Sequence, residues 1–472
     1  MKFYITTAID YLNGKPHIGH VFEKILTDTI ARYHRSKGEE VFFLTGSDEH
    51  GFKMQQMAEA EGITPQELVD RNVKEFLAMK ERFNLSFDRF IRTTDADHME
   101  VVKKIWERCK AKGDLYLKKY QGLYCTGCES FKKESDLENG KCPDHDRAPD
   151  RVEEENWFFR LTNYTKEVRE LITNGELKIY PEHRKKEVLN ILNELEDFSV
   201  SRPREKLTWG VDIPDDQTQV MYVWFDALAN YISGVGAFTD EEKFNKYWPA
   251  DLHVIGKDIT RFHAIYWPAM LLSAGIAVPK ALLVHGFITA KGKKMSKTLG
   301  NTVDVDEALS RYGVDALRYF LLREIPTTED GDFNLDRFDI RYLELANGLG
   351  NLVSRVTTLA EKNDIVFSGK YEDLKDITVE YEECFVELRL DKALEVVVKK
   401  IEACNDYISR EEPWAIKDDK ERLENIVGAC LIAIKDIAEK LTPFVPETSE
   451  KILAIFKAEK IVKAEPLFPK ET

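Results

Sequence analysis

The alternation that opens the chain does most to limit its fold. Residues 2–9, KFYITTAI, are β-branched and aromatic and read as a strand. GHVFEKILTDTIARYHRSKG, residues 19–38, follows with Val21, Ile25, Leu26, Thr29, Ile30 and Tyr33 on one helical face and Gly38 as the stop. EVFFLTGSDEHG, residues 40–51, is strand-like again and runs into a second helical pattern from Lys53. Strand, helix, strand at this pitch predicts βαβ units on a parallel sheet. The alternation returns in MYVWFDALANYI, DLHVIGKDI, FHAIYWPAMLLSAG and ALLVHGFI, between residues 221 and 288. Residues 116–155 interrupt it with a cysteine cluster and little apolar periodicity, and read as an insertion. From about residue 340 strand signals vanish. Leu390, Leu394, Val397, Val398, Ile401, Cys404 and Ile408 mark one helical face, ENIVGACLIAIKDIAEKL another, and TSEKILAIF a last helix after Pro443 and Pro446. An α/β sheet with an insert, then a helical bundle, is the expected order.

Size and charge agree. A chain of 472 residues has room for roughly two to four domains. Apolar content of 43% with 32% charged residues reads as soluble and globular. No apolar run approaches the roughly 18 residues of a membrane span, and the N-terminus lacks a signal-peptide profile, so a cytoplasmic protein without a membrane partner is expected. A net charge of −16 argues against non-specific coating of nucleic acid, yet leaves room for a local basic surface. Of seven cysteines, Cys109, Cys384, Cys404 and Cys430 stand alone in apolar-periodic stretches and read as small core residues.

Two of the ten histidines fall in five letters, PHIGH, residues 16–20, between the first strand and the first helix. The first amides of a helix lack partners and attract anions. Gly19 has no Cβ, so a base or phosphate can approach closely, and His17 and His20 add donors where charge grows on a reacting phosphate. A turn with two surface histidines is the plainer alternative. A second polar loop, GKKMSKTLGN at 292–301, places Lys294 and Lys297 to neutralise a triphosphate and Ser296 to hydrogen-bond the loop.

PHIGH and KMSKT, in this order and separation, resemble the signature pair of class I aminoacyl-tRNA synthetases; Thr298 stands where serine is commoner. The likeness narrows to the methionyl-tRNA synthetase family through TTAIDYLNGKPHIGH, FLTGSDEHG, VWFDALANYI, GKDITRFHAIYWPA, VHGFITAKGKKMSKTLGN, GNLVSR and REEPW, spread over residues 6–414. The resemblance implies ATP-dependent ligation of L-methionine to tRNA(Met), elongator and initiator, through methionyl-adenylate. It assigns catalysis to His17, His20, Lys294 and Lys297, and ATP binding to these with Gly19, Gly256, Asp258 and Ser296. Ile9, Tyr11, Trp224, Ala227, Tyr231, Phe262 and His263 match the methionine pocket and Asp48 the carboxylate that takes the ammonium; aromatic walls suit a thioether. Plain core packing is the alternative for the aromatics, and Leu228 replaces a proline found in part of the family. Asn351, Arg355 and Trp414 match the anticodon-reading positions. Mg²⁺ is expected with ATP.

Cys125-x-x-Cys128 and Cys142-x-x-His145 have the spacing of a closed, structural zinc site, one Zn²⁺ per chain. The resulting division is a Rossmann-like catalytic domain at 1–115 and 220–290, a zinc-bearing connective insert at 116–219, a lysine-loop linker at 291–345 and a helical anticodon-binding domain at 346–472, in a monomer or homodimer. A smaller adenylate-forming nucleotidyltransferase would not need the helical part. A non-catalytic tRNA-binding scaffold would not need both histidines and both lysines. The leucine, isoleucine and valine enzymes carry a larger insert, and the cysteine enzyme holds zinc in its pocket.

Overall fold

The computed structural model describes the whole chain except residues 127–129, 133, 144–145, 291–292, 295–304, 369, 459 and 470–472. Two compact units emerge, one made of Met1–Pro16, Gly38–Lys80 and Ser86–Val284, the other of His17–Lys37, Glu81–Leu85 and His285–Thr472.

A seven-stranded sheet organises the first unit. Its central order is Glu40–Asp48, Lys2–Thr7, Leu252–Gly256, Ala281–His285, with Arg89–Arg92 and Asp10–Tyr11 beside Glu40–Asp48 and Lys178–Tyr180 at the far edge. Lys2–Thr7 pairs in parallel with Glu40–Asp48 on one side and Leu252–Gly256 on the other. This is the doubly wound order in which the chain reverses direction next to its first strand. In such sheets ligands bind beyond the carboxyl ends of the strands at that reversal. The strands are apolar on both faces, as a sheet covered by helices requires: Ala281–His285 and Leu252–Gly256 are buried throughout. Lys178–Tyr180, within the stretch read as insert, is a strand of this sheet, parallel to Ala281–His285.

The insertion is itself a sheet. Leu115–Cys125 and Asp150–Phe159 pair antiparallel from Leu115 opposite Phe159 to Tyr124 opposite Asp150, flanked by Ser130–Lys132 and Phe198–Ser199. It is buried at its base, at Leu115, Asn156, Phe158 and Phe159, and again at its outer end at Cys125. Further out, Lys119 stands opposite Glu155, a cross-strand pair of opposite charges.

Among its described residues the second unit is helical apart from a three-stranded sheet of Ile288–Ala290, Lys293–Lys294 and Gly331–Asp332. Every position expected on the inner face of Leu390–Glu411 is buried. Cys109, Cys404 and Cys430 are buried as expected, but Cys384 is half-exposed: on helix Thr378–Val386 the buried positions are Tyr381 and Phe385, and Cys384 lies at the edge of that face. Helix Ile18–Ser36 is anchored within this unit by Asp28 and Arg318, both fully buried and 2.7 Å apart. The guanidinium also donates to the carbonyls of Phe444, Pro443 and Phe83, which satisfies a charge that water cannot reach.

Candidate active site and tRNA-reading face

The first helix opens on its two histidines. His17 is the N-cap in extended conformation, and its Nδ1 accepts from the Gly19 amide at 3.1 Å. His20 Nδ1 accepts from the His17 amide, also at 3.1 Å, closing a capping box made of two imidazoles. The rings stack with centroids 3.7 Å apart at 18°. Capping uses the Nδ1 lone pair of each ring, so each neutral imidazole carries its proton on Nε2 and is a donor there. Burial lowers the His20 imidazole to about 3, with Lys24 adding to the drop and Glu23 opposing it, which keeps the ring neutral at physiological pH. A Cβ on Gly19 would come within 2.9 Å of His17 Cε1, so the glycine makes room for the stacked histidine itself.

In the sheet-bearing unit, the expected methionine residues gather at the carboxyl ends of strands. Ile9 follows Lys2–Thr7, Asp48 ends Glu40–Asp48, and Tyr11 pairs with Asp48 in the ladder. Trp224 and Ala227 lie on helix Val223–Ala227 and Tyr231 on Asn230–Ser233. Phe262 and His263 belong to a π turn, Phe262–Tyr266, of the kind that often marks functional sites. Trp224 stacks flat on Phe262, centroids 3.8 Å apart at 6°. Tyr231 Oη and His263 Nε2 are 2.7 Å apart, and His263 Nδ1 lies 3.0 Å from the Ile259 carbonyl. That carbonyl can only accept, so Nδ1 carries the proton and the Tyr231 hydroxyl donates to Nε2. Gly256 ends its strand and Asp258 is exposed on the 3₁₀ turn Lys257–Ile259 that follows. On the lysine loop, the backbone of Lys294 pairs with Thr289, while Ser296 and Lys297 lie outside the described residues.

The helical unit carries the three expected RNA-reading residues. A second π turn, Leu345–Gly350, leads into helix Asn351–Lys362, which sets Asn351 and Arg355 one turn apart. Trp414 sits on the 3₁₀ turn Pro413–Ala415, is 53% exposed, and has the Arg355 guanidinium 5.5 Å from its ring centre. Core packing is therefore excluded for this indole. Asn351 is exposed on the same helix.

Of the four expected metal ligands, Cys125 and Cys142 are both buried, and Cys128 and His145 lie outside the described residues. Among the described residues no group of three or more donors could hold a metal ion. Cys142 bridges Arg147 and its carbonyl accepts from the Asp146 amide at 2.8 Å, a tight turn at the second half-site.

Sequence reasoning passed over several polar groups here. His50 and Asp226 stand inside FLTGSDEHG and VWFDALANYI, and His98 stands in no motif; the three meet in the interior. His285, which ends a strand, is 3.1 Å from Glu23 on the first helix, a pairing no local spacing announces.

A doubly wound parallel sheet, a helix that begins with His-Ile-Gly-His and a helical C-terminal half define a class I aminoacyl-tRNA synthetase. Residues 3–150 and 133–357 match the family model "tRNA synthetases class I (M)", and residues 366–466 match "Anticodon binding domain of methionyl tRNA ligase". A methionine--tRNA ligase of Caldanaerobacter subterraneus subsp. tengcongensis is 42% identical over 95% of this chain and 73% of its own; one of Rhizobium meliloti is 42% identical over 96% and 91%. The structure of Mycobacterium tuberculosis methionyl-tRNA synthetase in complex with methionyl-adenylate superposes with a TM-score of 0.94 at 39% identity, covering all of both chains. The chain belongs to the methionyl-tRNA synthetase family.

Proposed function

We propose that this chain ligates L-methionine to tRNA(Met), elongator and initiator, at the expense of ATP. The methionine carboxylate attacks the α-phosphate, a carboxyl–phosphate bond forms, and pyrophosphate leaves. The 3′-terminal hydroxyl of the tRNA then attacks the activated carbonyl and AMP leaves. No protein nucleophile is needed; the residues orient two anions that repel each other and stabilise a charged phosphorus centre. On this reading His17 and His20 donate from Nε2, Lys294 and Lys297 neutralise the triphosphate with Ser296 bonding their loop, and Gly19, Gly256 and Asp258 bind the nucleotide. Asp48 takes the ammonium, and Ile9, Tyr11, Trp224, Ala227, Tyr231, Phe262 and His263 take the side chain. Mg²⁺ accompanies ATP.

The observation that carries the reading is the flat stack of Trp224 on Phe262, on the helix next to a buried Tyr231–His263 pair. An unbranched, polarizable thioether lies against an aromatic wall better than a branched aliphatic chain does. Methionine-dependent ATP–pyrophosphate exchange, with leucine and cysteine as controls, tests it. Exchange with leucine or cysteine, or none with methionine, overturns it.

Arg355 over an exposed Trp414, with Asn351 one turn away, supports anticodon reading by stacking and edge hydrogen bonds. For the insert, two buried thiols in stretches with polar flanks suit a metal better than a core. Cys125, Cys128, Cys142 and His145 would hold one zinc that keeps the insert's shape and takes no part in the chemistry. Elemental analysis should find one zinc per chain, and a metal-free preparation with an intact insert rules the site out. The cytoplasm is the expected location, and among the described residues no helix is long and apolar enough to cross a membrane.

A further inference from the structure

Beneath the methionine residues lies a buried acid that the chemistry above leaves unused. Asp226, 1% exposed, sits between Trp224 and Ala227 on helix Val223–Ala227. His50 Nδ1 is 2.7 Å from its Oδ2 and His98 Nε2 is 2.8 Å from its Oδ1, and both rings are buried. A carboxylate only accepts, so each ring donates from the named nitrogen. The other nitrogen of His98 meets Ser233 Oγ at 2.7 Å, and Ser233 ends the short helix that carries Tyr231. Burial alone would favour the neutral acid, but the two imidazoles outweigh it and hold Asp226 below the usual carboxylate range.

His50 stands two residues after Asp48, and the residue between them is fixed from the other side. Arg92 grips the Glu49 carboxylate at 2.7 and 2.9 Å, Thr94 donates to it at 2.6 Å, and Trp209 Nε1 donates to the Glu49 carbonyl at 2.6 Å. The turn that carries Asp48 is thus tied outward through Glu49 and inward through His50. The inward tie ends on the helix of Trp224 and Ala227.

We propose that Asp226, through His50 and His98, is a positioning residue for methionine, setting the spacing between the Asp48 carboxylate and the walls formed by Trp224, Ala227 and Tyr231. The inference rests on the methionine reading above. Ammonium and thioether are joined by a fixed length of covalent chain, so both ends bind well only if their two protein partners stay in register. ATP makes no such demand on this pair of elements.

Pyrophosphate exchange on the full chain, with methionine and ATP varied separately, tests the proposal. Asp226→Asn sets an amide N–H against an imidazole N–H. It should raise the methionine KM about 5- to 150-fold, the range for one unsatisfied buried polar group, while the ATP KM stays unchanged. His50→Leu fills the space without a donor and should show the same selective loss. His50→Asn puts an amide N–H near the position of Nδ1 and should recover most of it. A rise in both KM values together, or recovery by leucine as good as by asparagine, would mean the network only supports the fold. Selective loss restored by the donor supports positioning. Wild-type protein that fails to exchange with methionine overturns the methionine reading itself, whereas normal wild-type exchange with an unchanged Asp226→Asn KM overturns this inference alone.

Discussion

The region around Trp224 and the region around Trp414 each offer an indole to a ligand, and their surroundings differ. Trp224 lies flat on Phe262, next to Tyr231 and His263, whose polar atoms are already paired with protein. Trp414 stands on a three-residue turn, half in solvent, with the Arg355 guanidinium near its face. The first arrangement suits a small ligand that brings little binding energy and must find its site built in advance. The second suits unstacked bases that bring their own π faces and phosphate charge, so the protein needs only a platform and a few donors. Each region also contains a π turn: Phe262–Tyr266 carries Phe262 and His263, and Leu345–Gly350 leads into the helix of Asn351 and Arg355.

Four measurements would break or sharpen that contrast. The largest effect is expected from Asp48→Ala, which on the proposed reading leaves the substrate ammonium without its partner: methionine kcat/KM in pyrophosphate exchange should fall about 10²- to 10³-fold, as when one member of a buried charge pair is removed. A loss confined to tRNA charging would contradict the assignment. Lys297→Ala should slow adenylate formation by about 10²-fold, the effect of losing one transition-state donor, with methionine affinity nearly unchanged; an unaltered single-turnover rate removes the lysine loop from the chemistry. Trp414→Ala should lower charging efficiency about 5- to 150-fold through loss of a stacking platform and leave pyrophosphate exchange intact. Equal losses in both reactions, at an unchanged melting temperature, would erase the distinction between the two regions.

The smallest effect concerns pH. His20 is lowered from its ordinary 6.5 to about 3. Its unfolded form therefore binds a proton before its folded form does. The associated stability is complete above about 6.5 and is lost as pH falls from there toward 3. Between pH 8 and 5 the His20 ring resonances should stay flat in NMR. A His20 midpoint near 6.5 would mean that the capping box opens readily.

What could be read from the sequence followed the strength of the apolar signal. The inner face of Leu390–Glu411 repeats seven apolar positions at helical spacing, and all are buried. The parallel sheet was legible for the same reason, since its strands are apolar on both faces. The long hairpin of Leu115–Cys125 and Asp150–Phe159 was not, because its outer part is held by backbone pairing and Asp150–Phe159 there alternates exposed with only half-buried positions, so no apolar face repeats. Motif matches named Asp48 and Trp224 but passed over His50 and Asp226 within the same motifs, because what joins them is a contact 176 residues apart in sequence. Spacing could not separate an exposed Trp414 from a buried one either: Glu412, in left-handed conformation at φ 45°, and Pro413 after it turn the indole outward, and neither belongs to a periodic pattern.

The exposure of Trp414 also has an optical consequence. The chain has seven tryptophans, and the other six are buried or half-buried. A collisional quencher such as iodide reaches surface indoles first, so the quenchable part of the emission comes chiefly from this one position. A base stacked on it would shield it from the quencher. The protein thus carries an intrinsic fluorescent reporter on its proposed RNA-reading face, and occupancy of that face can be followed by its protection from the quencher without attaching a dye.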